Sequence, residues 1–293
     1  MTIKIATIEN ALRPLPEDTR DFSLAGVFDQ IDLNEIPKED FVVAMPLRIK
    51  DQGNTDYCSA YAVTEVSEDQ EGEELLPEYQ FYKTKVLMDD FEGWGADLRS
   101  ACKVPARFGS LPLQGYEKYT EYSRQDILKH STWPLYLDEK ASQYKKETYF
   151  KVDGRYDTFD NIRCALWQHR DEKRSIVVGA IWRDEWTQSE NGVIPEGSFK
   201  GGYGHAFKIF GQKYIDGECY LVAQLSNSTE IGNKGIFYFP RSVVNSELKP
   251  FGQFMFKDIS RNTAEFYLNS PVTKQSTWWK ILIARIIYFI SNK

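Results

Sequence analysis

The sequence predicts an α+β protein in two subdomains, with helices first and an antiparallel sheet second. Three observations carry this reading. Apolar residues recur at helical spacing in the first half, as at Cys58, Ala62 and Val66. Past residue 175 the pattern changes to short β-branched and aromatic runs set apart by Gly, Asn and Asp. The 293 residues are 42% hydrophobic and 14% aromatic, enough for a buried core.

Taken in chain order, residues 1–45 are rich in Pro and acidic side chains, show weak periodicity, and read as an irregular arm. Residues 51–54, DQGN, are turn chemistry. A helix is predicted from Cys58 onward, with Asp56 as its N-cap. A second is predicted over 77–90, with Pro77 in its first turn, where a missing N–H costs nothing. A third covers 96–109, with a break at Pro105 and Gly109 at its end. The stretch from Tyr116 to Tyr149 is polar and tyrosine-rich, and no period assigns it. A further helix over 159–171 turns Ile162, Ala165 and Leu166 inward. Strands are predicted at 175–182, 205–214, 219–227 and 235–240.

The expected organisation is an arm (1–45), a core domain (46–260, helical over 46–150 and β over 151–260) and a tail (261–293). In the tail, residues 278–290 hold eleven apolar side chains in thirteen, interrupted by Lys280 and Arg285. As a helix this run is about 20 Å long, short of the roughly 30 Å of a bilayer core. It reads either as an element packed on its own domain or as a docking segment for a membrane surface or a protein partner.

The net charge is −7, which argues against a nucleic-acid partner. The N-terminus lacks an apolar stretch of signal-peptide length, so the four Cys read as reduced thiols in an intracellular compartment. They are Cys58, Cys102, Cys164 and Cys219, with no C-x-x-C pair, so no zinc site is expected, and the reading calls for no cofactor.

Cys58 sits at a predicted helix start, where free N–H groups and the helix dipole favour a thiolate, the attacking form of Cys. Cys102, Cys164 and Cys219 lie within predicted elements and read as structural. His205 follows three Gly within four residues and opens a strand, which places an imidazole at a strand mouth. His130 and His169 have charged neighbours and read as surface residues. Asn227 ends a strand, where its amide is placed to orient an imidazole. Taken alone, it reads as ordinary turn chemistry.

The order Cys, His, Asn is the papain-type arrangement. The segment 49–68, IKDQGNTDYCSAYAVTEVSE, resembles the nucleophile segment of papain-like cysteine peptidases. Residues 201–213, GGYGHAFKIFGQK, resemble the strand around that family's His, and 220–240 is similar to its Asn segment. Residues 92–109, EGWGADLRSACKVPARFG, resemble the Gly-rich turn that lines the family's cleft. The stretch 149–182 is similar to members from bacteria and their viruses. The resemblance covers roughly 45–245.

It implies a helical left subdomain and a β-barrel-like right subdomain with the active site between them. It further implies an endopeptidase acting on peptide or protein substrates. Cys58 is then the nucleophile, His205 the general base and acid, Asn227 the orienting amide and Gln52 an oxyanion donor. Gly93, Trp94, Gly95 and Gly204 are the implied substrate-binding positions.

The sequence also departs from the family pattern. Thr55 stands where the family has a disulfide Cys, Asp56 and Tyr57 replace Gly-Ser, Ser59 replaces an aromatic, and Thr229 replaces a Trp. Asp56 is expected to raise the thiol pKa and Tyr57 to narrow the cleft. The usual inhibitory pro-segment is not recognisable in residues 1–45, so control is expected from another device: localisation through the tail, a partner, or a loop from the arm. Two rival readings share the residue order: a papain-fold binding protein without activity, and a cell-wall amidase or transglutaminase-type Cys-His enzyme.

Overall fold

A computed structural model of the chain describes residues 11–15, 18, 21–197 and 201–258. The tail at 261–293, with its apolar run 278–290, lies outside the described residues. The helical half is built on Cys58–Glu71, Pro77–Met88 and Leu98–Arg107. The first closes on Gly72 at φ 76°, a left-handed cap that glycine adopts without strain. The second starts on Pro77 at its first turn, as the sequence predicts.

The third helix corrects the sequence reading. It does not break at Pro105, which lies inside it. Proline removes the N–H that would bond the carbonyl four residues back. That carbonyl belongs to Ala101 and is taken instead by Gln80 Nε2 at 2.8 Å. A neighbouring helix thus supplies the missing donor.

The unassigned stretch 116–149 resolves into short turns of helix, Glu117–Glu121, Arg124–Ile127, His130–Thr132 and Leu135–Ala141, before strand β4 (Lys146–Lys151). Thr158–Gln168 is the further helix, with Ile162, Ala165 and Leu166 buried as predicted.

Among the described residues the sheet is antiparallel and seven-stranded. It uses β2 (Phe41–Val42), β4, β5 (Ile176–Trp182), β6 (Tyr203–Ile215), β7 (Glu218–Gln224), β8 (Ile236–Pro240) and β9 (Gln253–Asp258), in the order β4-β9-β5-β6-β7-β8 with β2 on β6. A separate two-stranded pair joins β1 (Leu12–Arg13) to β3 (Ala96–Asp97). Two strands therefore come from residues expected to be an irregular arm.

An apolar layer between the halves contains Cys58, Ala62, Val63, Val66, Leu98 and Cys102 from the helices and Val177, Ala206, Phe254 and Phe256 from the sheet. Its seam carries two buried ion pairs, Lys50–Glu68 and Lys208–Asp69. Among the described residues no helix is long and apolar enough to cross a membrane.

Candidate active site

Cys58 is the first residue of its helix and is fully buried against the sheet. The Ala206 N–H on β6 donates toward its sulfur. Burial nevertheless pushes the thiol up to about 12, and the Asp56 charge adds to this against the N–H groups of Ala206, Ser59 and Cys58 itself. The helix start therefore does not lower the thiol pKa in this state, contrary to the sequence expectation: desolvation outweighs the dipole.

Directly before Ala206 stands His205, paired across the sheet with Ala180. It is 2% exposed, and burial brings its imidazole down to about 4 while Asn227 opposes the shift. His205 Nε2 and Asn227 Oδ1 are both buried, and neither closes a hydrogen bond of ordinary geometry. The family's aromatic shield is missing at Thr229, which is exposed. Trp182 of β5 stands in this neighbourhood instead, edge-on to the imidazole at 5.8 Å.

The Asn227 and Gln52 segments are held together by backbone pairing. Asp51 bridges Asn227, Gln52 N donates to Ser226 O at 2.9 Å, and Ser228 N donates to Lys50 O at 3.2 Å. Ser226 Oγ donates to Gln52 Oε1 at 2.9 Å, and Gln52 Nε2 donates to Thr55 O at 3.0 Å. The amide is thereby fixed with its NH₂ toward the loop that leads into Cys58.

Asp56 corrects a second expectation. It is not the helix cap: Tyr57 takes that position and makes no side-chain cap bond. The buried Asp56 carboxylate instead accepts from Gly95 N at 2.6 Å and from Arg124 Nε at 3.0 Å. Arg124 also donates to Gly93 O at 2.7 Å, and Lys85 donates to Gly93 O and Gly95 O at 2.7 and 2.9 Å. A charged clamp thus ties the loop before Cys58 to the Gly93–Gly95 turn. All four Cys are free. Gly95 takes φ 62°, which its lack of a Cβ permits. Trp94 is half exposed at the rim, under the Arg124 guanidinium at 4.7 Å.

Tyr57 does not narrow the cleft. It is buried against Phe81, ring centroids 4.0 Å apart. His169 is likewise buried rather than at the surface, its Nδ1 2.8 Å from Glu172. His130 is exposed and pairs with Tyr82 OH. Cys102 and Cys164 are buried, and Cys219 is half-buried.

The site does not stand open. Strand β1 runs parallel to β3, with Leu12 beside Ala96, and Ala96 N donates to Ala11 O at 3.2 Å. A Cβ placed on Gly204 would collide with the Leu12 carbonyl oxygen. The chain's own arm therefore lies along the expected substrate positions.

Arg124, Lys85, Trp182 and the Leu12–Arg13 strand are absent from the sequence reading. Their partners are distant in the chain, 68 residues away for Arg124–Asp56 and 81 for Arg13–Trp94, and no local pattern marks them.

This architecture matches solved cysteine proteases. Xylellain, a cysteine protease from Xylella fastidiosa, superposes with a TM-score of 0.68 at 18% identity, covering 85% of this chain and 96% of that one. The fold is papain-like. Procathepsin B from Trypanosoma congolense gives 0.59 at 12% identity, over 85% of this chain and 86% of its own. Bromelain from Ananas comosus, solved with the E64 inhibitor, gives 0.56 at 16%, over 76% and 99%. No family model and no curated protein matches the sequence.

Proposed function

We propose that the protein is a papain-like cysteine endopeptidase. The observation that supports this most is the convergence of three chain segments that carry the four side chains. Cys58 lies against Ala206 on β6, the residue after His205, the Asn227 amide acts on that imidazole, and Gln52 is locked onto the Asn227 segment.

In this reading Asn227 holds the Nε2 side of the ring and leaves Nδ1 for the thiol. The ring takes the Sγ proton as sulfur attacks the scissile carbonyl carbon. The Gln52 NH₂ and the Cys58 backbone N–H receive the oxyanion, a contribution of roughly 3–4 kcal/mol per donor in a well-measured case. The C–N bond then breaks as His205 returns the proton to the leaving amine. Water attacks the thioester, giving the acid and regenerating the thiol.

Replacing Cys58 with Ala is expected to lower peptide hydrolysis by about 10⁴ or more, as loss of a nucleophile does in the serine triad. Hydrolysis that survives at the parent rate overturns the proposal. A slow transfer of the acyl group to added amines in preference to water would favour the transglutaminase-type reading instead.

A further inference from the structure

We propose that an open apolar groove between β2 and β8 docks an apolar peptide segment flanked by carboxylates, carried by the polypeptide substrate away from its scissile bond. The effect on turnover rests on the peptidase reading; the docking rests on the groove alone. None of Gln52, Cys58, His205 and Asn227 lines it.

The groove has a volume of about 630 Å³, within the roughly 300–1,000 Å³ of ligand clefts. Val222, Ile236 and Tyr238 line it from β7 and β8, and Val42, Met45 and Ile49 line it from the segment that leads to Gln52. That segment is pinned to the sheet at both ends. Val43 N donates to Phe210 O at 2.8 Å, and Gln224 Nε2 donates to Arg48 O at 3.2 Å. A Cβ on Gly235 would collide with Ile49 Cγ2, so the turn before β8 closes directly on this wall. The groove is therefore preformed, and an occupant orders little of the protein when it binds. Met45 is 73% exposed and Val42 42%, so the apolar lining faces water. Such surface marks interaction sites on soluble proteins, and its openness suits a passing chain better than an enclosed small molecule.

The rim sets the sign of the occupant. Arg48, Lys213 and Lys234 line the groove against one carboxylate, Asp40, in a chain whose net charge is −7. Asp40 is spent on Lys213 Nζ at 3.2 Å and on Tyr214 N at 2.7 Å. Arg48 is half exposed, with Glu74 on its Nε at 2.6 Å. Lys234 is exposed and has no ion-pair partner among the described residues. Aliphatic or aromatic side chains of the occupant fill the groove while its carboxylates meet these cations, so burial supplies affinity and charge fixes orientation. The chain's own apolar run 278–290 carries Lys280 and Arg285, the wrong sign for this rim. Ile49 stands three residues before Gln52, so a docked segment is held on the same stretch of chain as the site without touching its reacting groups. Tethering of this kind raises the local concentration of the scissile region and leaves the chemical step alone.

The test reads binding without turnover, in full-length Cys58→Ala protein, by fluorescence anisotropy of a fluorescein-labelled peptide EELFEELLEE. Met45→Glu and Lys234→Glu, both at exposed positions, are each expected to weaken binding about tenfold, the factor of one charge-assisted contact. Salt at about 1 M should weaken it too, and the charge-reversed peptide KKLFKKLLKK should not bind over the same range. Equal binding to all three proteins, or of both peptides, overturns the proposal. So does displacement of the peptide by laurate, or a dimer seen by light scattering that Met45→Glu dissolves. In the parent, fusing EELFEELLEE to a short peptide substrate should lower KM about tenfold at unchanged kcat. Met45→Glu should cancel that gain while leaving turnover of the unfused substrate as it was. Hydrolysis of both substrates at one KM overturns the proposal and leaves the peptidase reading intact. Binding that the two variants weaken, with no hydrolysis of either substrate, keeps the docking groove and removes the peptidase reading.

Discussion

At the residue scale, Asp56 decides most about this site. Its carboxylate is buried two positions before the nucleophile, with its bonds spent on Gly95 N and Arg124. It positions the cleft wall, and it also opposes the thiolate. These roles pull apart on substitution. Asp56→Asn is expected to raise KM about tenfold, the worth of a charge-assisted hydrogen bond. The same change should move Cys58 alkylation to lower pH, because a charge that raises the thiol pKa is gone. A purely structural role would leave that pH profile where it was. Sequence reasoning placed Asp56 beside the thiol and anticipated the sign of its effect. It missed the clamp, since Gly95 and Arg124 lie 39 and 68 residues away. Trp182 was missed for the same reason: it reads as the end of a strand, and only the β5–β6 register brings it beside His205.

At the element scale, the helices show where local rules hold and where a neighbour overrides them. Pro77 starts a helix as its chemistry dictates, while Pro105 sits inside one because Gln80 satisfies Ala101 O. Gln80→Leu should orphan that buried carbonyl at a cost of about 1–3 kcal/mol, read as a fall in Tm. In a Pro105→Ala background the restored N–H takes the carbonyl, so the same substitution should cost much less; equal costs in both backgrounds would refute the account.

The Cys58 helix carries a pH-dependent element. Glu65 is fully buried, neither carboxyl oxygen has a partner, and burial pushes its pKa up to about 8 against the pull of Lys208 and Lys50. The folded chain then holds a proton to about pH 8 that the unfolded chain releases near 4.5. Between those values the folded state binds more protons, so stability falls as pH rises. Glu65→Gln mimics the protonated form and should flatten the decline in Tm across that window. A parent whose Tm is level there would count against the buried proton.

At the scale of the whole molecule, the proposed function rests on two halves meeting along one seam. The Gln52 and Asn227 segments are stitched by backbone bonds across it, and Cys58 lies against Ala206, the strand neighbour of His205. Much of this was legible in order alone. A Cys at a helix start, a His after glycines at a strand and an Asn at a strand end bring the papain pattern to residues 58, 205 and 227. The arm was not legible, because Leu12 and Arg13 carry no motif and acquire meaning only through glycines at 93, 179 and 204.

The central claim is that Cys58 is the nucleophile and His205 its base. The most direct test is to map the E64 adduct by mass spectrometry on Leu12→Glu protein, with and without His205→Ala. The account predicts one adduct, on Cys58, formed at least a hundredfold more slowly without the imidazole, in the range attributed to positioned proton transfer. An adduct on another Cys, or one on Cys58 that forms equally fast in the His205→Ala protein, would contradict it.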